Sequence, residues 1–238
     1  MMMKNQTLPT SKHDDLQKII HHLSHDLGAP LRHAINFAFL LSTDHQANMN
    51  EEARQWLRHI RESTEKAQSM INGLLEYSRI FGIVQTAQKL DLNEIWDFAQ
   101  FELKQIIEQK TTTITATKLP KIQGVKQHWI TLFSALLKNS LLYQPAGQTP
   151  IIHLSHTYSA NGELTLIAQD NGIGVDEKYH EELTDFFRRL HTDEEYPGIG
   201  MGLTICERIL QYCNGRINFT QSKLGGLEVH CVLPNIIA

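Results

Sequence analysis

No run of about 18 apolar residues occurs in the 238-residue chain, so no membrane-spanning helix is expected. The opening stretch MMMKNQTLPTSK also lacks the apolar centre of a signal peptide. Cysteine is scarce. Cys206, Cys213 and Cys231 are odd in number and form no CxxC pair, and a reduced, cytoplasmic setting is the simplest reading. Charge of one sign is lacking too: a net charge of −4 suggests neither a nucleic-acid binder nor a membrane-surface protein. What is present is ordinary for a folded protein, with 41% hydrophobic residues and enough length for one or two domains with proper cores. Histidine is the residue in excess, with 13 copies.

Helical periodicity dominates the first third. From Asp14, the residues Leu16, Ile19, Ile20, Leu23, Leu27, Leu31, Ala34, Ala38 and Leu41 keep a helical period. A polar break follows, in which Asn50 is a fair N-cap and Glu51 and Glu52 suit a first turn. A second periodic run carries Ala53, Trp56, Leu57, Ile60, Ala67, Ile71, Leu74 and Ile80, with Gly82 as a natural stop. Two long helices on a short loop predict an antiparallel hairpin, residues 13–83. A lone hairpin buries one stripe of each helix, so its open apolar side predicts a homodimer packed as a four-helix bundle.

Within the first helix, the stretch LSHDLGAPLR stands out. Leu23, Leu27 and Leu31 are expected to supply the buried face and to leave His25 toward solvent. Gly28 costs roughly 1 kcal/mol in a helix interior, and Pro30 removes a backbone donor. The residues alone permit either a kink beside a surface histidine or a reactive segment made bendable. His21 and His25 have the spacing of a metal pair, but no HExxH pattern or cysteine pair supports one.

From about Lys89 the pattern becomes mixed. Helices are expected over Leu92–Ile107 (with Ile95, Phe98, Ala99, Leu103 and Ile106 inward), Gln127–Tyr143 and Leu203–Cys213. Strands are expected over Thr111–Thr117, Ile151–Tyr158, Leu164–Asp170, Arg216–Gln221 and Leu227–Leu233. Helices in one set and mostly antiparallel strands in another suggest an α+β two-layer sandwich over 89–238. Three features carry chemistry. In Asp170-Asn171-Gly172-Ile173-Gly174, a carboxylate at a strand end can accept a bond from a buried amino group such as adenine's; the plain alternative is a glycine turn. Gly198-Ile199-Gly200-Met201-Gly202 opens into a helix, whose N-terminal amides favour phosphate. Asn139, amid the leucines of SALLKNSLLY, is either a satisfied buried amide or a ligand for Mg²⁺ on phosphates.

In this order, the motifs resemble the catalytic core of sensor histidine kinases of two-component systems, in a style nearest to bacterial phytochrome-type kinases. SHDLGAPL resembles the phospho-acceptor motif, LLKNSLLY the asparagine motif, DNGIG and GIGMGL the two glycine motifs, and FFRRLH the phenylalanine motif. The resemblance implies a dimerising hairpin followed by a Bergerat-type ATP-binding domain. It implies that His25 takes the γ-phosphoryl group of ATP and that Asp26 fixes its tautomer and acts as general base. Asn139 would then hold Mg²⁺, Asp170 would read the adenine amino group, and Tyr143 would line the pocket. Gly172, Gly174, Gly198, Gly200 and Gly202 would let a lid close, and Arg189 would contact the γ-phosphate. The partner implied is an aspartate on a separate response-regulator receiver domain. The little chain before residue 13 suggests either a piece of a larger protein or a kinase driven by a separate sensor partner.

Several positions depart from the family's pattern. Gly28 stands where arginine is usual. Ala29 replaces a threonine or asparagine that positions water, which predicts weak phosphatase activity. Ala135 and Leu142 replace polar residues near the nucleotide and predict weaker affinity, and Thr184 replaces a phenylalanine. These losses leave a second reading, a dimeric scaffold or phosphorelay module with a decayed ATP site. A gyrase- or chaperone-type ATPase is disfavoured by the hairpin upstream.

Overall fold

The computed structural model describes residues 10–44, 49–82, 86–192 and 195–234, with side chains from residue 26 onward apart from 44, 81 and 82. It divides into two compact units, Met1–Ile83 and Val84–Ala238.

The first unit is a helical hairpin of α1 (Thr10–Asp44) and α2 (Glu51–Gly82). Asn50 caps α2, its Oδ1 accepting from the Ala53 amide at 2.8 Å. Glu51 in that first turn pairs with Arg54 and Arg58. Ala38, Ile71 and Ile80 form the buried stripe, while Phe37, Phe39, Leu40, Trp56 and Ile60 are exposed. The expected burial of Leu27 does not hold: it is 49% exposed, and Leu31 is half-buried. Two helices share one stripe, so the remainder of a wide apolar face stays open. The side chains of His21, Leu23 and His25 lie outside the described residues, although their backbone belongs to α1.

The second unit is an α/β sandwich. Its main sheet runs β2 (Thr113–Ala116), β4 (Ile151–Tyr158), β5 (Leu164–Asp170), β7 (Leu227–Leu233) and β6 (Arg216–Gln221), in the order β2-β4-β5-β7-β6. Among the described strands, only the β2–β4 pair is parallel. A small antiparallel pair, β1 (Gln88–Asp91) with β3 (Lys121–Gly124), was not foreseen. Helices α3 (Leu92–Glu102), α5 (Lys126–Leu142) and α6 (Gly202–Tyr212) carry the other half of the core, with Trp129, Leu132, Phe133, Leu137 and Ile209 fully buried.

The single helix expected over Leu92–Ile107 is two. Its ladder breaks at Leu103, and α4 (Lys104–Gln109) follows. Leu103 is drawn into the core, whereas Phe98 and Ile106 are exposed. The inward aromatic is Trp96, set edge-on to Phe133 at 5.3 Å. The next strand begins late, at Thr113, because Thr111 takes φ 53 in the preceding turn.

Along β5, the pleat sends Leu164, Leu166, Ala168 and Asp170 to the buried side. The same period that fills the core therefore brings a carboxylate to the strand's last position.

Candidate functional site

Asp170 is buried, 9% exposed, on the floor of a cleft of about 730 Å³ that includes its open mouth. Its Oδ1 accepts from the amides of Gly172 (2.9 Å) and Leu227 (3.0 Å), and its Oδ2 from the Ser140 hydroxyl (3.0 Å). Burial pushes the Asp170 carboxyl above its ordinary value, and these three donors pull it back. With two bonds to Oδ1 and one to Oδ2, the carboxylate keeps one lone-pair site, on Oδ2, for a further donor.

The cradle around this carboxylate has no room for side chains. A Cβ on Gly172 would stand 2.3 Å from the Tyr143 carbonyl oxygen, and one on Gly226 would stand 2.1 Å from Asp170 Oδ1. The loop after β5 is tied to the rest of the unit by Asn171. Its Oδ1 accepts from the Ile151 amide at 2.8 Å and its Nδ2 donates to the Thr149 carbonyl at 3.0 Å.

The cleft walls come from several segments: Ile173 and Val175 after β5, Leu183 and Leu190 from the stretch 176–201 before α6 (the lid below), Leu203 from α6, and Leu227 from β7. These side chains suit a flat apolar ring above the single open acceptor. Asn139 and Tyr143 lie at the C-terminal end of α5 and line the same cleft, as do Gly174, Gly200 and Gly202. Gly202 opens α6, and a Cβ there would lie 3.4 Å from Asn139 Oδ1, so the two residues face each other. Gly198 is outside the lining, with Leu142 as its nearest contact.

The lid holds a 3-10 helix, Glu177–Thr184, and two residues at positive φ. Gly200 has φ 69, and a Cβ there would stand 2.5 Å from the Arg188 carbonyl oxygen. Phe187 has φ 59, which costs an aromatic L-residue about 1–2 kcal/mol. Arg189 lines the cleft, and its Nη2 donates to the carbonyls of Thr192 (3.1 Å) and Tyr196. Arg188, also in the lining, pairs with Glu182.

Sequence reasoning missed several of these residues. Ser140 follows Asn139 directly, and the helical period that turns Asn139 to the cleft hides what its neighbour reaches. Gly226 lies in a hairpin turn that reads as an ordinary Gly-Gly loop. Tyr196 and His191 form an aromatic triangle with Tyr143, at centroid separations of 5.3, 6.3 and 5.2 Å. Their clustered tyrosines and histidine were the available signal. His25 and Asp26 belong to the other unit, in α1, where Asp26 is exposed.

Residues 124–236 match the family of histidine kinase-, DNA gyrase B- and HSP90-like ATPases, and residues 15–80 match the His Kinase A (phospho-acceptor) domain. Cyanobacterial phytochrome A of Nostoc sp. is 30% identical over 221 residues, which are 92% of this chain and 28% of the relative. The adaptive-response sensory kinase SasA of Synechococcus sp. is 26% identical over 233 residues, 93% of this chain and 60% of the relative. Among solved structures, full-length ShkA in complex with AMPPNP has the same fold, with a TM-score of 0.66 at 20% identity over 93% of this chain and 46% of that one. The chain thus spans less than a third of the phytochrome's length.

Proposed function

We propose that this chain, which belongs to the sensor histidine kinases and holds their catalytic core, autophosphorylates on His25 and passes the phosphoryl group to an aspartate of a separate receiver domain. The observation that carries the reading is Asp170: a buried carboxylate with one open acceptor site beneath an apolar cleft fits the amino group and ring of adenine. In this reading, residues 89–238 bind ATP and residues 13–83 form the phosphotransfer hairpin. The exposed Phe37, Trp56 and Ile60 give that hairpin a face for a second copy.

Asp26 holds one ring nitrogen of His25 and takes its proton. The other ring nitrogen forms the N–P bond as the bond from the γ-phosphorus to the bridging oxygen breaks and ADP leaves. A Mg²⁺ ion held with the nucleotide would supply charge neutralisation for the transferred phosphoryl group. Asn139 is the residue that would hold it, and an amide oxygen shared with phosphate oxygens suits this hard ion. Arg188 and Arg189 supply cations beside the cleft, and Gly174, Gly198, Gly200 and Gly202 let the lid close. A cytoplasmic setting accords with the buried free thiols Cys206 and Cys231, the latter pushed up to about 12 by burial. No helix among the described residues is long and apolar enough to cross a membrane.

Incubation with γ-labelled ATP and Mg²⁺ tests the reading. Acid-labile, alkali-stable label on the native chain and none on His25→Gln is the expected result. Label retained by His25→Gln would sink His25 as the acceptor. A folded native chain that takes no label and binds no ATP would favour the decayed scaffold.

A further inference from the structure

We propose that His191 is a further phosphate contact of the cleft, an imidazolium whose Nε2 donates to the phosphates of ATP while Glu195 holds its Nδ1; this rests on the reading of the cleft as an ATP site. His191 lines the cleft from the lid, and its side chain is 35% exposed. Tyr143 from α5 and Tyr196 from the lid place their rings against it. On its Nδ1 edge, Glu195 Oε2 stands 3.9 Å away. That same oxygen accepts from the amide and the hydroxyl of Thr192, both at 3.2 Å, so the carboxylate is itself held in place. With Nδ1 turned to Glu195, Nε2 points away from it and has no hydrogen bond among the described residues.

Arg188 and Arg189 are the other basic residues in the lining, and both are already engaged. Arg188 pairs with Glu182, and Arg189 Nη2 donates to the carbonyls of Thr192 and Tyr196. The position of His191 suits phosphate. Tyr143 follows Asn139 by four residues on α5, so the two share a face one turn apart. An imidazole resting on Tyr143 is therefore on the same side of the cleft as Asn139, which faces Gly202 at the start of α6, where helix amides favour phosphate. Glu195 beside Nδ1 favours the N–H form there, so a neutral ring would turn a lone pair on Nε2 toward the phosphates. Nucleotide binding thus takes up one proton from solvent at Nε2. The phosphates, Glu195 of the lid and Asp170 of β5 favour the cation, Arg188 and Arg189 oppose it, and the phenols of Tyr143 and Tyr196 bring no charge.

The full chain and its His191→Phe, His191→Lys and Glu195→Gln variants are titrated with ATP in EDTA, so that no transfer follows, on both sides of the ordinary histidine value of about 6.5. His191→Phe keeps a ring against Tyr143 and Tyr196 and lacks both nitrogens. On the acid side it should bind ATP about tenfold more weakly than the native chain, the usual loss for one charge-assisted hydrogen bond. On the alkaline side, where the native imidazole has given up its second proton, the gap should nearly close. His191→Lys should bind as the native chain does on the acid side and keep that affinity on the alkaline side. Glu195→Gln, which leaves His191 in place, should lose part of the native pH dependence. Native affinity in His191→Phe on the acid side overturns the inference. So does a loss of equal size on both sides, which would assign His191 to ring packing alone, or a pH dependence that Glu195→Gln leaves whole. A native chain that binds no ATP on either side overturns the reading of the cleft itself, which keeps the two failures apart.

Discussion

The Ser140 hydroxyl donates to Asp170 Oδ2 at 3.0 Å, joining the C-terminal half of α5 to the last residue of β5. It is the only side-chain donor among the described residues that reaches this carboxylate, since the other two are amides. It also decides which lone pair faces the cleft.

Ser140→Ala leaves the fold intact at a loss of about 1 kcal/mol, the usual net value of one hydrogen bond. It raises the Asp170 carboxyl further and frees Oδ2 to rotate. The expected outcome is a several-fold weaker affinity for ATP, measured by equilibrium titration with a fluorescent analogue. Unchanged affinity would remove Ser140 from the binding argument.

The pH dependence of stability has a definite sign. Burial first, against three donors, holds the Asp170 carboxyl above its ordinary value, so the fold prefers the protonated form. Its stabilising contribution is whole below the ordinary value of about 3.9 and is lost as pH rises through the folded value. Asp170→Asn cannot ionise. Urea melts from pH 4 to 7 should therefore show the variant gaining on the native chain as pH rises, while ATP binding is absent throughout. A constant difference across that range would contradict the assignment.

Gly226→Ala drives a methyl group to within 2.1 Å of Asp170 Oδ1 and 2.4 Å of the Gly172 amide. Overpacking of this kind costs about 1–3 kcal/mol, and it should abolish measurable nucleotide binding. Gly198→Ala, whose new Cβ would meet nothing nearer than Leu142 Cδ2 at 3.9 Å, should cost much less. Thermal denaturation of both variants checks the ranking.

On the hairpin, Trp56 is 60% exposed within one chain. If that face receives a second copy, Trp56→Glu places a charge in an apolar interface and should shift the chain from dimer to monomer in light scattering. A dimer that persists at micromolar concentration would place the contact elsewhere.

Legibility in the sequence followed the physics that sets each feature. The strands Ile151–Tyr158, Leu164–Asp170, Arg216–Gln221 and Leu227–Leu233 have the limits read from alternation and turn residues, because period and turn chemistry are local. Asn50 was legible as a cap for the same reason. Ile106 was misread because α3 stops at Leu103, and that stop depends on where Leu103 finds its pocket; Phe98 was misread because Trp96, packed on Phe133, takes the inward place on α3. Leu27 was misread because periodicity reports apolarity and is silent on which stripe has a neighbour. At the site, Asp170, Asn139 and Gly172 were visible as motif residues. Ser140, Gly226 and Tyr196 were not, since each matters through a contact with a distant segment.

The parallel register that sets Thr113 beside Ile151 has a kinetic meaning. It closes a loop of chain that holds all of β3 and α5, whereas Gln221 and Leu227 are joined by a short turn. Loop-closure entropy delays such distant pairings, so β6 and β7 should zip first and β2 should dock last. Pulse-labelled amide exchange during refolding would then find the amides of β2 protected after those of β7. The edge of the sheet laid down last is also the edge from which unfolding begins.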